Sequence, residues 1–228
     1  FDPSLLNIRM SPIVSISEEV RRLSPQFTKE TGKQFVLFQR GELDFKTPQY
    51  IRDAAKKALD DGFTKYPKSG GEDVFKDAII AKLRDFNNVD GLTRDNVVCT
   101  YGGQEALELA FKLFTGKKGA GFAPCWSCIL ENMVPYCSTD FIEVPLEKDF
   151  SVNYDRLETV LKQTAFFYLN TPQNPTGKVF TEQEVRQIVG LCESNGVYLI
   201  SDEAYERITY DGKKHYSPLA TGSELVIG

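Results

Sequence analysis

Apolar residues recur at helical spacing early in the chain. Ile13, Ile16, Val20 and Leu23 within Pro12 to Thr31 predict an amphipathic helix, with Ser17 and Glu18 near its start. The run Phe35 to Phe38 predicts a short strand, and Gly41 to Pro48 a loop closed by a helix-starting proline. Helices are expected over Gln49 to Asp60 and Glu72 to Phe86. Beyond them, β-branched or aromatic runs at Asn96 to Thr100, Gly119 to Ala123, Asp140 to Pro145, Thr164 to Asn170, Val197 to Asp202 and Glu224 to Gly228 predict strands. They alternate with helical patterns at Glu105 to Phe114, Ile129 to Tyr136, Leu157 to Leu161 and Glu182 to Ser194. The cadence predicts an α/β fold: three layers, α/β/α, with a mainly parallel sheet that binds ligands at the carboxyl ends of its strands.

Composition adds little to this pattern. A chain of 228 residues, 41% hydrophobic and 26% charged, can bury a large globular core. Its net charge of -5 argues against a nucleic-acid or anionic-membrane partner. No apolar run has the length of a membrane span, and Phe1 to Arg9 lacks a signal-peptide layout, so a cytoplasmic location is expected. The five cysteines are odd in number and scattered, unlike a disulfide framework. Cys125 and Cys128 have metal-pair spacing, yet His215 is the only histidine, too few ligands for zinc and too few bases for a hydrolase triad, so no metal is expected. An initial phenylalanine and the apolar ending Leu225 to Gly228 suggest a piece of a longer protein.

Three loops at expected strand ends carry chemistry. Thr100-Tyr101-Gly102-Gly103-Gln104 runs from a strand into a helix, where bare amides and the helix dipole favour an anion; a plain glycine turn is the alternative. Asn170 to Gly177, Asn-Thr-Pro-Gln-Asn-Pro-Thr-Gly, holds two Xaa-Pro steps that fix an irregular backbone able to aim an asparagine into a cleft. Ser201-Asp202-Glu203-Ala204-Tyr205 closes an apolar strand with a carboxylate that needs a cation or donor, unless Asp202 simply caps a turn.

Taken together, these loops resemble the class I and II pyridoxal-phosphate aminotransferases of the aspartate aminotransferase superfamily. The shared signatures are Asn-x-Pro-x-Asn-Pro-Thr-Gly and Ser-Asp-Glu-x-Tyr, with Gly102-Gly103-Gln104 upstream and Gly41-Glu42-Leu43-Asp44-Phe45 near the start. The resemblance implies that residues 1–45 belong with a small domain and 46–228 with an incomplete large, cofactor-binding domain. It implies pyridoxal 5'-phosphate as cofactor, with Asp202 paired to the ring nitrogen and Asn174 and Tyr205 on the phenolic oxygen. Asp202 and Tyr205 are thereby the catalytic candidates. Gly102, Gly103 and Gln104 match the phosphate cradle, and Trp126 the ring that stacks on the pyridine. Gly41, with Asn174, matches the substrate site, and Tyr66 a tyrosine that reaches a neighbouring subunit's phosphate, which implies a homodimer. Leu43, where proline is frequent, and Arg40 depart from the pattern. Lys178 matches no catalytic position.

The expected activity is transamination between an L-amino acid and a 2-oxo acid. A lyase or decarboxylase on the same fold, and a non-catalytic sensor domain, are the alternatives. The lysine that carries the cofactor and the arginine that grips the substrate carboxylate are expected beyond Gly228, so the chain by itself is expected to be inactive.

Overall fold

The computed structural model describes residues 3, 6, 8, 10, 12–38, 41 and 45–228. Contacts divide the chain into two compact units, Met10–Ser69 on one side and Gly70–Gly228 with the described residues before Met10 on the other.

The first unit holds α1 (Pro12–Thr31) and α2 (Gln49–Asp60), neither of which buries a residue. Phe27 stacks on Phe35 with ring centroids 4.3 Å apart. The strand expected at Phe35 to Phe38 does not form. Those residues are irregular, Phe38 is 92% exposed, and no strand pairs with them among the described residues. Glu42, Leu43 and Asp44, with Arg40, lie outside the described residues.

The larger unit begins with α3 (Asp73–Asn87), which ends where Asn88 enters the left-handed region at φ 57°. The expected strand Asn96 to Thr100 also fails to form. A single turn covers Arg94–Asn96, and beyond it Val97 N–H closes back on Arg94 O at 3.3 Å and Cys99 N–H reaches Gly70 O at 2.8 Å, instead of forming a ladder. Next come α4 (Gly103–Lys112), β1 (Lys118–Ala123) and α5, which is a π-helical turn over Ile129–Met133 continued by Val134–Tyr136. Then follow β2 (Asp140–Pro145), α6 (Tyr154–Leu161), β3 (Phe166–Asn170), α7 (Glu182–Ser194), β4 (Tyr198–Asp202), a short 3-10 turn (Pro218–Thr221) and β5 (Val226–Ile227).

The five strands form one parallel sheet in the order β2-β1-β3-β4-β5. Alternation along β3 separates two cores, because successive side chains leave opposite faces of a strand. Phe167 and Leu169 join Leu157 and Leu161 of α6 and Val185 and Ile188 of α7. Phe166 and Tyr168 join Leu107 and Phe111 of α4 and Ile129 and Met133 of α5. The three-layer α/β/α arrangement expected from the sequence is therefore present.

Two features fix the layers. On β1 the α4 side is bare: a Cβ on Gly119 would lie 2.1 Å from Cζ of Phe166, and one on Gly121 would meet the Phe141 ring at 2.8 Å. Phe166 uses that vacancy to reach Phe111 and Phe114, each with centroids 4.9 Å away. At α7, Thr181 and Glu184 form a capping box, and Lys178 Nζ donates to Glu184 Oε1 at 2.7 Å. Burial pushes the Glu184 carboxyl up, but the Lys178 bond, the Thr181 amide and the Lys178 charge outweigh it and hold the group below its ordinary value.

Gly119→Ala should cost on the order of 1–3 kcal/mol through overpacking, read as a lower urea midpoint at unchanged m-value. Glu184→Gln should lose on the order of 1 kcal/mol at neutral pH from the cap. A carboxyl depressed by folding stabilises above its ordinary value of 4.5 and ceases to do so as pH falls through the lower folded value. The gap between Glu184→Gln and wild type should accordingly close below that pH, which urea titrations across the acid range would measure.

Candidate active site

Asp202 ends β4, half-buried, in register with Asn170 at the end of β3. A carboxylate removed from water at that point is costly unless it finds donors. It finds one for each oxygen: Tyr168 Oη donates to Oδ2 at 2.7 Å and the Ala204 amide to Oδ1 at 3.1 Å. Its backbone carbonyl accepts the Thr171 amide at 2.9 Å and Asn170 Nδ2 at 3.0 Å. Tyr168 is 2% exposed. Burial, followed by the Asp202 charge and the bond to it, pushes the phenol far above its ordinary range, so it stays a donor.

The Asn170 to Gly177 loop is built on its own amides. Asn170 Oδ1 accepts the Asn174 amide at 2.7 Å, and Gln173 Nε2 reaches Pro124 O at 3.1 Å. Thr176 Oγ1 donates to Gln173 Oε1 at 2.7 Å, and Gly177, at φ 70°, returns its amide to Gln173 O. The peptide bonds before Pro124, Pro172 and Pro175 are cis. The outcome is an Asn174 side chain that meets Tyr205, Nδ2 donating to Oη at 3.3 Å. Asn174 keeps a second amide hydrogen and Tyr205 its hydroxyl proton, so the pair presents donors. Lys178 is spent on Glu184 and lies over the Phe180 ring, 4.8 Å from its centroid.

Gly102 precedes α4 at φ 88°, a conformation that suits glycine alone. Among the described residues no side chain caps the helix, and the first-turn amides, Gly103 and Gln104 among them, have no acceptor within it. Those two residues, Trp126, Asn174, Asp202 and Tyr205 line a cleft of about 130 Å³, together with Leu107, Asn170 and Ala204. Gly102 stands just outside the lining. Gly41 and Tyr66 belong to the other compact unit, where both are exposed.

Some neighbours of the site carried no sequence signal. Tyr168 sits within an apolar run and reads as core. Behind Asp202, His215 Nε2 donates to Glu203 Oε2 at 2.6 Å, while Ser201 and Ser217 donate to Glu203 Oε1 at 3.0 and 2.9 Å. Glu206 is held by Lys82 at 2.6 Å and Asn87 at 2.9 Å. Glu203, Glu206 and His215 bring metal-ligand atoms within 4.8 Å of one another, but both carboxylates are already engaged, as an anchor for this turn. Burial, with the Glu143 charge, pushes the Cys125 thiol up to about 11, so it offers no thiolate near neutrality.

Comparison with known proteins identifies the family. Residues 33–227 match the family described as aminotransferase class I and II. The chain is 36% identical over 186 residues to a probable aspartate aminotransferase of Methanocaldococcus jannaschii, covering 78% of this chain and 48% of that protein. It is 32% identical over 223 residues to the aspartate aminotransferase of Geobacillus stearothermophilus, covering 94% and 54%. The structure of Thermus thermophilus aspartate aminotransferase with maleate superposes with a TM-score of 0.89 at 27% identity, covering 99% of this chain and 58% of that one. The chain thus spans about half the length of the relatives it matches. Because the family match runs over most of its length, the chain belongs to the class I and II aminotransferases, a pyridoxal-phosphate-dependent family.

Proposed function

We propose that this chain is the cofactor-binding part of an aminotransferase that exchanges an amino group between an L-amino acid and a 2-oxo acid. The observation that carries the reading is one cleft shared by Asp202, the Asn174–Tyr205 pair and the open amides of α4. The donor set suits pyridoxal phosphate. Uncapped amides at a helix start donate to a phosphate, two neutral donors donate to a phenolate oxygen, and an oriented carboxylate accepts a hydrogen bond from a protonated ring nitrogen. Bound there, the cofactor supplies an electron-poor ring that takes up the electrons left when the substrate's α-proton departs.

The roles of the chain's own residues follow. Asp202 keeps a proton on the ring nitrogen, and Asn174 and Tyr205 stabilise negative charge on the phenolic oxygen. Gly103 and Gln104 hold the phosphate with their backbone amides, backed by the glycine at Gly102. Trp126 offers a flat face for stacking. We assign Gly41 and Asn174 to the substrate side, residues 1–45 to the small domain, and Tyr66 to the phosphate of a second subunit. Phe38, Phe45, Phe63 and Tyr66, all exposed in the Met10–Ser69 unit, support a homodimer. The acidic net charge supports small-molecule partners over nucleic acid. Among the described residues no helix is long and apolar enough to cross a membrane, which is compatible with work in the cytoplasm.

In the full-length protein, Asp202→Ala should lower kcat/KM for amino transfer on the order of 100-fold or more, while weakening the cofactor about tenfold. Steady-state kinetics and absorbance titration of the cofactor give the two values. Activity within a factor of about three of wild type would remove Asp202 from this role. Product analysis with several amino acids and a 2-oxo acid acceptor separates the reactions: an amino-acid product from the acceptor supports transamination, whereas released carbon dioxide or ammonia marks a lyase.

A further inference from the structure

Tyr168 has no part in the roles assigned above, yet it is the side chain most closely tied to Asp202. It stands two positions before Asn170 on β3, so the pleat sends both to one face of the sheet. Its ring lies among Phe111, Phe166, Leu107 and Ile200, with the Phe111 centroid 6.1 Å away at 63°. Phenylalanine would fill that space equally well. The hydroxyl therefore adds nothing to packing, and taking it out of water costs free energy unless a bond offsets it.

The bond it makes is to a functional carboxylate. Oη to Oδ2 is 2.7 Å, and with the Ala204 amide on Oδ1 each oxygen of Asp202 holds one donor. Two donors on opposite oxygens fix the rotation of the carboxylate plane, which a single donor would leave free. Because burial and the neighbouring charge keep the phenol protonated, it does not compete for a proton and acts only as a donor. Positioned groups lose function when their supporting partners are removed, even when they themselves remain in place.

We propose that Tyr168 is a positioning residue that orients Asp202 toward the ring nitrogen of the cofactor. The inference rests on the reading of Asp202 given above. It is tested in full-length apoprotein by comparing affinities for pyridoxal phosphate and for an analogue with C–H in place of the ring nitrogen. The ratio of the two dissociation constants isolates what reaches the nitrogen, and a general loosening of the fold does not change it.

Asp202→Ala should collapse the preference for the natural cofactor. Tyr168→Phe should reduce it on the order of tenfold, the scale of a bond to a charged group. In an Asp202→Ala background, adding Tyr168→Phe should leave the ratio within a factor of about two, because no side chain then links Tyr168 to the nitrogen. That pair also avoids a buried unpaired charge and serves if the single variant does not fold. If Asp202→Ala leaves the ratio unchanged, the assignment of Asp202 fails. If Asp202→Ala changes it and Tyr168→Phe does not, or raises it, the positioning role alone is overturned. It is overturned as well by a Tyr168 effect that persists in the Asp202→Ala background.

Discussion

A negative charge placed at the tip of a parallel strand is the constraint around which the larger unit is organised. Where the ladder stops at a strand end, backbone carbonyls still need donors, and Asp202 adds an ionisable group to that demand. Asn170 meets part of it from the neighbouring strand, bonding the Asp202 carbonyl with its amide nitrogen and taking the Asn174 amide with its oxygen. One side chain thereby joins the strand tip to the proline-rich loop, so that Asn174 arrives opposite Tyr205.

The sheet beneath makes this arrangement rigid. Phe166 and Phe167, adjacent on β3, are both wholly buried in opposite cores. The bare α4 side of Gly119 and Gly121 lets aromatic rings lie close against β1, and Phe111 of α4 packs on those rings. The uncapped helix start and the strand tip are consequently held by a single layer of aromatic contacts. Dense interiors of this kind transmit small displacements instead of absorbing them.

The legible parts of the fold were those whose chemistry is local. Strands β1, β3 and β4 are largely buried on both faces and read as apolar runs, β2 at the sheet edge is only partly buried, and the capped or proline-bounded helices announced their ends. Phe35 to Phe38 and Asn96 to Thr100 have the same local preference but no ladder to join. Pairing is a property of the partner, which sequence preference does not encode. In the cleft, Asn174, Asp202 and Tyr205 were legible because prolines, glycines and a carboxylate are out of place in ordinary core. Tyr168 was not, because a tyrosine in an apolar run is indistinguishable from packing until its hydroxyl is seen on Asp202.

The turn after β4 is moored away from the cleft as well. Arg207 lies over the Phe86 ring, 3.3 Å from its centroid, and Glu206 takes Lys82 and Asn87, all three on α3. Tyr205 directly precedes these two moored residues, so the backbone that carries its phenol is tied to α3. Surface change on that distant helix, at Lys82 for instance, therefore has a mechanical path to the amide–phenol pair without any ligand contact, and divergence there could retune the chemistry while every signature loop stayed the same.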